Sequence, residues 1–237
     1  MEIIKVKDMD ELGRKAAEIV VNSIKDIENP VLGLATGSTP EKLYANLIDK
    51  CKVGEITFKQ AVTFNLDEYV GLSTDDPQSY RYYMDHHLFN GIDIKKENTH
   101  LLNGEAEDLE EECRSFEQLM KESGEIDLQI LGLGLNGHIA FNEPGTSFDA
   151  RTHIVDLDDS TIEANSRFFD RKEDVPTQAL TMGIGTIMEA KKILFLVQGE
   201  KKADILKKVL YGDVTEEVPA SILQRHPNVV LVTDIDI

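Results

Sequence analysis

The sequence predicts an α/β fold around a mostly parallel sheet. Short apolar runs rich in Val, Ile and Leu alternate with longer amphipathic stretches along 237 residues, the pattern of strand–helix units. The runs are continuously apolar rather than alternating, as strands covered on both faces require. No repeat, low-complexity block or Pro/Gly/Ser linker divides the chain, and its length suits one large domain or two small ones.

The elements follow in order. IIKVK (3–7) and VLGLAT (31–36) read as strands around a helix at 9–28. A helix at 40–52 precedes a third strand, AVTFNLDEY (61–69). SYRYYMDHHLFNGI (79–92) is helical with aromatics on one side, NTHLLNG (98–104) is a short strand, and 109–123 is an acidic helix. IDLQILGLGL (126–135) is the next strand, and RTHIVDL (151–157) and QALTMGI (178–184) are shorter ones. KILFLVQG (192–199) is a buried strand that leads into the helix EKKADILKKVLYG (200–212), and NVVLVTDI (228–235) closes the pattern. The polar stretch 148–175 is a candidate lid.

Composition narrows the function classes. Forty-four Asp and Glu against 25 Lys and Arg give a net charge of −19, which disfavours nucleic-acid and anionic-membrane partners. An anionic substrate must be held by local donors against that field. The charged N-terminus lacks a signal-peptide pattern, and no apolar run approaches the roughly 18 residues of a membrane span. Cys51 and Cys113 form no motif. A cytoplasmic protein without disulfides is expected.

In a parallel sheet, ligands bind beyond the carboxyl ends of the strands, and four such ends carry polar residues. After VLGLAT, Gly37 permits a tight turn, Ser38 or Thr39 can cap the next helix, and Pro40 fits its first position. Thr36, Gly37, Ser38 and Thr39 read either as an anion site at a helix N-terminus or as ordinary capping. The third strand runs into Asp67 and Glu68, which point to opposite faces of a strand. One can face a cleft and remove a proton from carbon, and a solvated loop acid is the bland alternative for the other.

The third end, GLGLNGHIAFNEPG (132–145), contains G-x-G-x-x-G, the turn of a dinucleotide site. That turn needs a helix directly after it, and Pro144 with Gly145 breaks one. The glycines instead allow close approach to His138, a residue type suited to acid–base work. Glu143 and Asn136 are its candidate partners, because a carboxylate that fixes an imidazole tautomer makes a positioned base. One His with one Glu is too few for a metal. At the fourth end, Lys201 and Lys202 oppose the dipole of the helix they begin, so one of them is a candidate anion ligand, as is Arg167 in ANSRFFD.

Together these stretches resemble the glucosamine-6-phosphate deaminase (isomerase) family. The similarity rests on LATGSTP (34–40), FNLDEYVGL (64–72) with PQSY (77–80), GLGLNGHIAFNEPG, ANSRFFD (164–170) and QALTMGIGTIMEA (178–190). The resemblance implies a single domain over 1–237, a Rossmann-like three-layer αβα sandwich that uses no nucleotide, cofactor or metal. It implies that Asp67 moves a proton between C2 and C1. His138 would open the sugar ring with Asn136 and Glu143 beside it. Thr36, Gly37, Ser38, Thr39, Arg167 and Lys202 would hold the phosphate. Many members carry Asp where this chain has Asn136, which leaves Glu143 as the motif's only anion. Longer members extend past Ile237 into an allosteric site, so a monomer or small homo-oligomer without that control is expected. 6-Phosphogluconolactonase, with a similar turn but DER in place of Asp67-Glu68-Tyr69, and a sugar-phosphate sensor are the alternatives.

Overall fold

A computed structural model describes residues 1–237. Its main sheet has seven strands, all parallel: β1 (Glu2–Lys5), β2 (Val31–Leu34), β3 (Val62–Asn65), β5 (Thr99–His100), β6 (Leu128–Leu131), β9 (Ile193–Val197) and β10 (Val229–Thr233). The order across the sheet is β1-β10-β9-β6-β2-β3-β5. β2, β6, β9 and β10 are buried at every position, as continuously apolar sequences require, whereas β1, at the sheet edge, is mostly exposed.

A second sheet of three antiparallel strands joins β4 (Asp67–Tyr69), β8 (Gln178–Thr181) and β7 (His153–Asp156), in the order β4-β8-β7. The expectation of one strand over 61–69 is therefore corrected. The run breaks at Leu66, and its last three residues leave the parallel sheet to pair with β8. Hydrophobic period identifies extended chain, but it does not tell which sheet that chain joins.

Helix α1 (Met9–Ile24) starts where the Asp8 side chain accepts the Glu11 N–H at 2.8 Å, and it buries Leu12, Ala16, Ala17 and Val20. It packs on α2 (Glu41–Lys52), which in turn meets α3 (Tyr80–His87). Strand order reverses at β2. Connections running the other way, through α4 (Leu109–Ser123) and α7 (Ala203–Tyr211), cover the opposite sheet face by the right-handed crossover rule. A parallel sheet between two helical layers results. The lid candidate 148–175 contains β7 and a short helix, α5 (Asp159–Asn165), that the sequence pattern does not reveal; the same is true of α6 (Ile184–Ile187). No helix is long and apolar enough to cross a membrane.

Candidate active site

The crevice where ligands are expected lies between the carboxyl ends of β2 and β6, where strand order reverses. The loop after β2 carries Thr36 to Thr39. Tyr44 and Tyr83 brace it from behind, donating hydroxyl protons to the carbonyls of Ala35 at 2.5 Å and Gly37 at 2.7 Å. Gly37 has φ +94°, a left-handed turn that favours glycine. Neither Ser38 nor Thr39 caps α2. Pro40 holds the N-cap position without a side-chain bond, so the expected capping by Ser38 or Thr39 is corrected.

Lys202 sits in a 3-10 turn ahead of α7, not in the first turn of an α-helix as the sequence suggested. Its ammonium donates to the carbonyl of Leu133, just past the end of β6, at 2.5 Å. Burial pulls its pKa down, and the nearby Arg167 cation adds to this. Arg167 follows α5 and lies over the Phe168 ring at 4.6 Å. Two cations brought together near the crevice, one of them largely buried and without a carboxylate partner, suit an anion.

Beyond β6 the chain turns tightly rather than staying extended. The Asn136 Oδ1 accepts the His138 N–H at 3.2 Å, and Gly137 has φ +93°. Asn136 and His138 therefore meet through a turn. The His138 Nδ1 lies 3.3 Å from the Glu143 Oε2, and the Asn136 amide donates to that same oxygen at 2.6 Å. A carboxylate at Nδ1 favours a proton on that nitrogen, which leaves Nε2 as the ring's other nitrogen. A Cβ on Gly134 would stand 2.3 Å from Nε2 and Cδ2 of His138. That glycine thus makes room for the imidazole itself. Ala140, at φ +52°, is the only non-glycine residue in the left-handed region, a conformation costing about 1 kcal/mol or more.

Glu143 is 8% exposed. Burial raises its pKa, but donors from His138, Thr161 and Asn136 more than offset this and bring it down to about 2. An Asp at position 136 would set a second carboxylate against this one. Asn136 instead supplies a proton donor, so Glu143 stays charged without sharing a proton.

Asp67 opens β4, is 7% exposed, and is pushed up to about 8 by burial first and Glu68 second, with no donor or cation to oppose them. Its neighbour points elsewhere, but not to solvent. Glu68 accepts the N–H groups of Tyr69 and Tyr80 at 2.9 Å and of Arg81 at 3.0 Å, capping the start of α3. Burial pushes Glu68 up to about 7 while those three donors pull it down. Of the two, Glu68 has donors that stabilise a charge and Asp67 has none. The expectation of a solvated acid holds for neither.

Thr181 connects the Asp67 and His138 segments. It pairs with Asp67 in the antiparallel register, and its hydroxyl accepts the Phe141 N–H at 3.0 Å. The Asn142 amide donates to the Met182 carbonyl at 2.9 Å. Tyr69, Tyr80 and Phe141 line the wall between them, with Tyr80 and Phe141 stacked at 6.1 Å. No group of three His, Cys, Asp or Glu side chains could hold a metal ion.

A buried carboxylate and a carboxylate-backed imidazole, set beyond the strand ends of a parallel sheet, place the chain among α/β enzymes. Over residues 7–232 the chain belongs to the family of glucosamine-6-phosphate isomerases and 6-phosphogluconolactonases. It is 54% identical over 234 residues to a glucosamine-6-phosphate deaminase of Thermoanaerobacter pseudethanolicus, covering 99% of this chain and 92% of that one. A second deaminase, from Clostridium acetobutylicum, is 51% identical with 99% and 97% covered. Among solved structures, one described as a monomeric glucosamine-6-phosphate deaminase superposes with a TM-score of 0.96 at 47% identity, covering 98% and 97% of the two chains. A 6-phosphogluconolactonase of Thermotoga maritima, at 0.78 and 21% identity over 98% of each chain, shares the fold.

Proposed function

We propose that this protein converts glucosamine 6-phosphate to fructose 6-phosphate and ammonia, with one domain spanning 1–237 carrying the whole site. The observation that carries the reading is Asp67, a buried carboxylate with no intramolecular donor or cation to stabilise its charge. Such a group needs a partner from the ligand. An ammonium on C2 of an amino sugar supplies one, lowering the carboxyl pKa in the complex and making Asp67 a base. The relatives' identity of about half over the full length supports the same substrate.

In this reading the phosphate is held by the Thr36–Thr39 loop, Arg167 and Lys202. His138, ordered by Glu143 and Asn136, takes the proton from O1 and returns it to the ring oxygen, which opens the ring to an aldehyde. Asp67 removes the C2 proton to give an enolamine and delivers that proton to C1. C2 becomes a ketimine, water adds to it, and ammonia leaves. Each positioned acid or base contributes about 10² to 10⁴ in rate. A single copy of the chain holds all these residues, so a monomer suffices.

The test is ammonia release from glucosamine 6-phosphate without added cofactor. Asp67→Asn should keep sugar-phosphate binding and lose at least about 10² in kcat. Turnover near that of the unsubstituted protein would remove Asp67 from the role. Hydrolysis of 6-phosphogluconolactone without ammonia release from the amino sugar would favour the lactonase alternative.

A further inference from the structure

The Glu143 carboxylate has two oxygens with separate surroundings. Oε2 takes the Asn136 amide and the His138 Nδ1. Oε1 takes one donor, the Thr161 hydroxyl, at 2.5 Å. Thr161 lies 18 residues further along, in α5, and is 4% exposed. A threonine inside a helix commonly turns its hydroxyl back to a carbonyl of the preceding turn. This one leaves its helix to meet a buried carboxylate. The same helix is fixed again at its end, where the Asn165 amide donates to the Tyr69 hydroxyl at 2.9 Å. Arg167 follows two residues later.

We propose that Thr161 is a positioning residue for the acid–base chemistry of His138. It anchors Oε1 of Glu143 and so fixes the orientation in which Oε2 meets the imidazole. The inference rests on the reading above that Glu143 orders His138. Its physical basis is the geometry of a carboxylate on a flexible side chain. With Oε1 unanchored, rotation about the last bond of Glu143 costs nothing on that side, and the already long 3.3 Å contact to Nδ1 loses its constraint. Anchoring from α5 also makes the ring-opening relay depend on a helix that touches the wall beside Asp67. Sequence proximity gives no hint of this, because residues 143 and 161 belong to different elements.

The test uses Thr161→Val, which preserves shape and removes the hydroxyl, and Thr161→Ser, which restores it. Removing one hydrogen bond to a charged group corresponds to roughly a tenfold loss in kcat for Thr161→Val, with KM within about twofold. Thr161→Ser should recover activity to within about threefold. In a Glu143→Ala background, where there is no carboxylate to orient, adding Thr161→Val should change kcat by less than about twofold. An unaltered Thr161→Val enzyme, or an undiminished tenfold effect without Glu143, overturns the proposal. The titration of the His138 ring, followed by NMR, tests positioning apart from turnover. Its midpoint should move in Thr161→Val and stay in place in Thr161→Ser; an unmoved midpoint in the valine variant also overturns it. Lack of ammonia release by the unsubstituted protein would instead fail the underlying reading while leaving this titration decisive.

Discussion

At the residue scale, two carboxylates of this site are driven in opposite directions by their neighbours. Glu143 has three donors and is held at about 2; Asp67 has none and is pushed to about 8. The raised pKa of Asp67 carries a stability consequence with a definite sign. The folded protein keeps the proton at pH values where the unfolded chain, with a carboxyl near 3.8, has lost it. Folding therefore binds a proton between about pH 4 and 8, and this site's contribution to stability falls as pH rises through that window. Asp67→Asn removes the ionisation. It should raise the melting temperature at pH 8 by the equivalent of several kcal/mol, because each tenfold change in proton affinity is worth about 1.4 kcal/mol. The gain should shrink toward pH 4. A pH-independent difference between the two proteins would show that Asp67 ionises normally.

At the element scale, the start of α3 is built from outside its own helix. Ser79 accepts the Tyr82 N–H at 3.1 Å, and Glu68 accepts those of Tyr80 and Arg81. The buried carboxylate thus joins β4 to α3 and meets the positive end of the helix dipole. Glu68→Ala leaves buried N–H groups without an acceptor and should cost about 3 kcal/mol or more in urea unfolding. Glu68→Gln, which keeps one acceptor oxygen, should lose less. A loss under about 1 kcal/mol in the alanine variant would mean water replaces the carboxylate. The division of 61–69 between two sheets belongs to this scale as well. Its first half joins β2 and its second joins β8, more than a hundred residues away.

At the scale of the whole molecule, a net charge of −19 surrounds a crevice beside which Arg167 and Lys202 lie near each other. The general field repels an anion such as the proposed sugar phosphate, and in the proposed reading Lys202, largely buried, offsets this over a short distance. Salt screens the exposed charges more than the buried one. Raising ionic strength from about 0.01 M to about 0.15 M should therefore increase kcat/KM in the ammonia assay. A steady fall over that range would mean the local cations govern approach.

The sequence by itself determined the alternation of strands and helices, the strand ends that carry polar residues, and the local cluster of Asn136, His138 and Glu143. These follow from short-range chemistry: apolar runs, turn-forming glycines, and a proline that stops a helix before a nucleotide could use it. The tertiary structure decided what depends on distant partners. It placed Glu68 under a helix rather than in water and brought Thr181 between Asp67 and the histidine loop. It also set Lys202 against the Leu133 carbonyl and directed Thr161 at Glu143. A carboxylate, a hydroxyl or an ammonium has the same sequence signature whether it is solvated or paired, because its partner comes from another element. Only the folded chain supplies that partner, and with it the charge state on which the proposed chemistry depends.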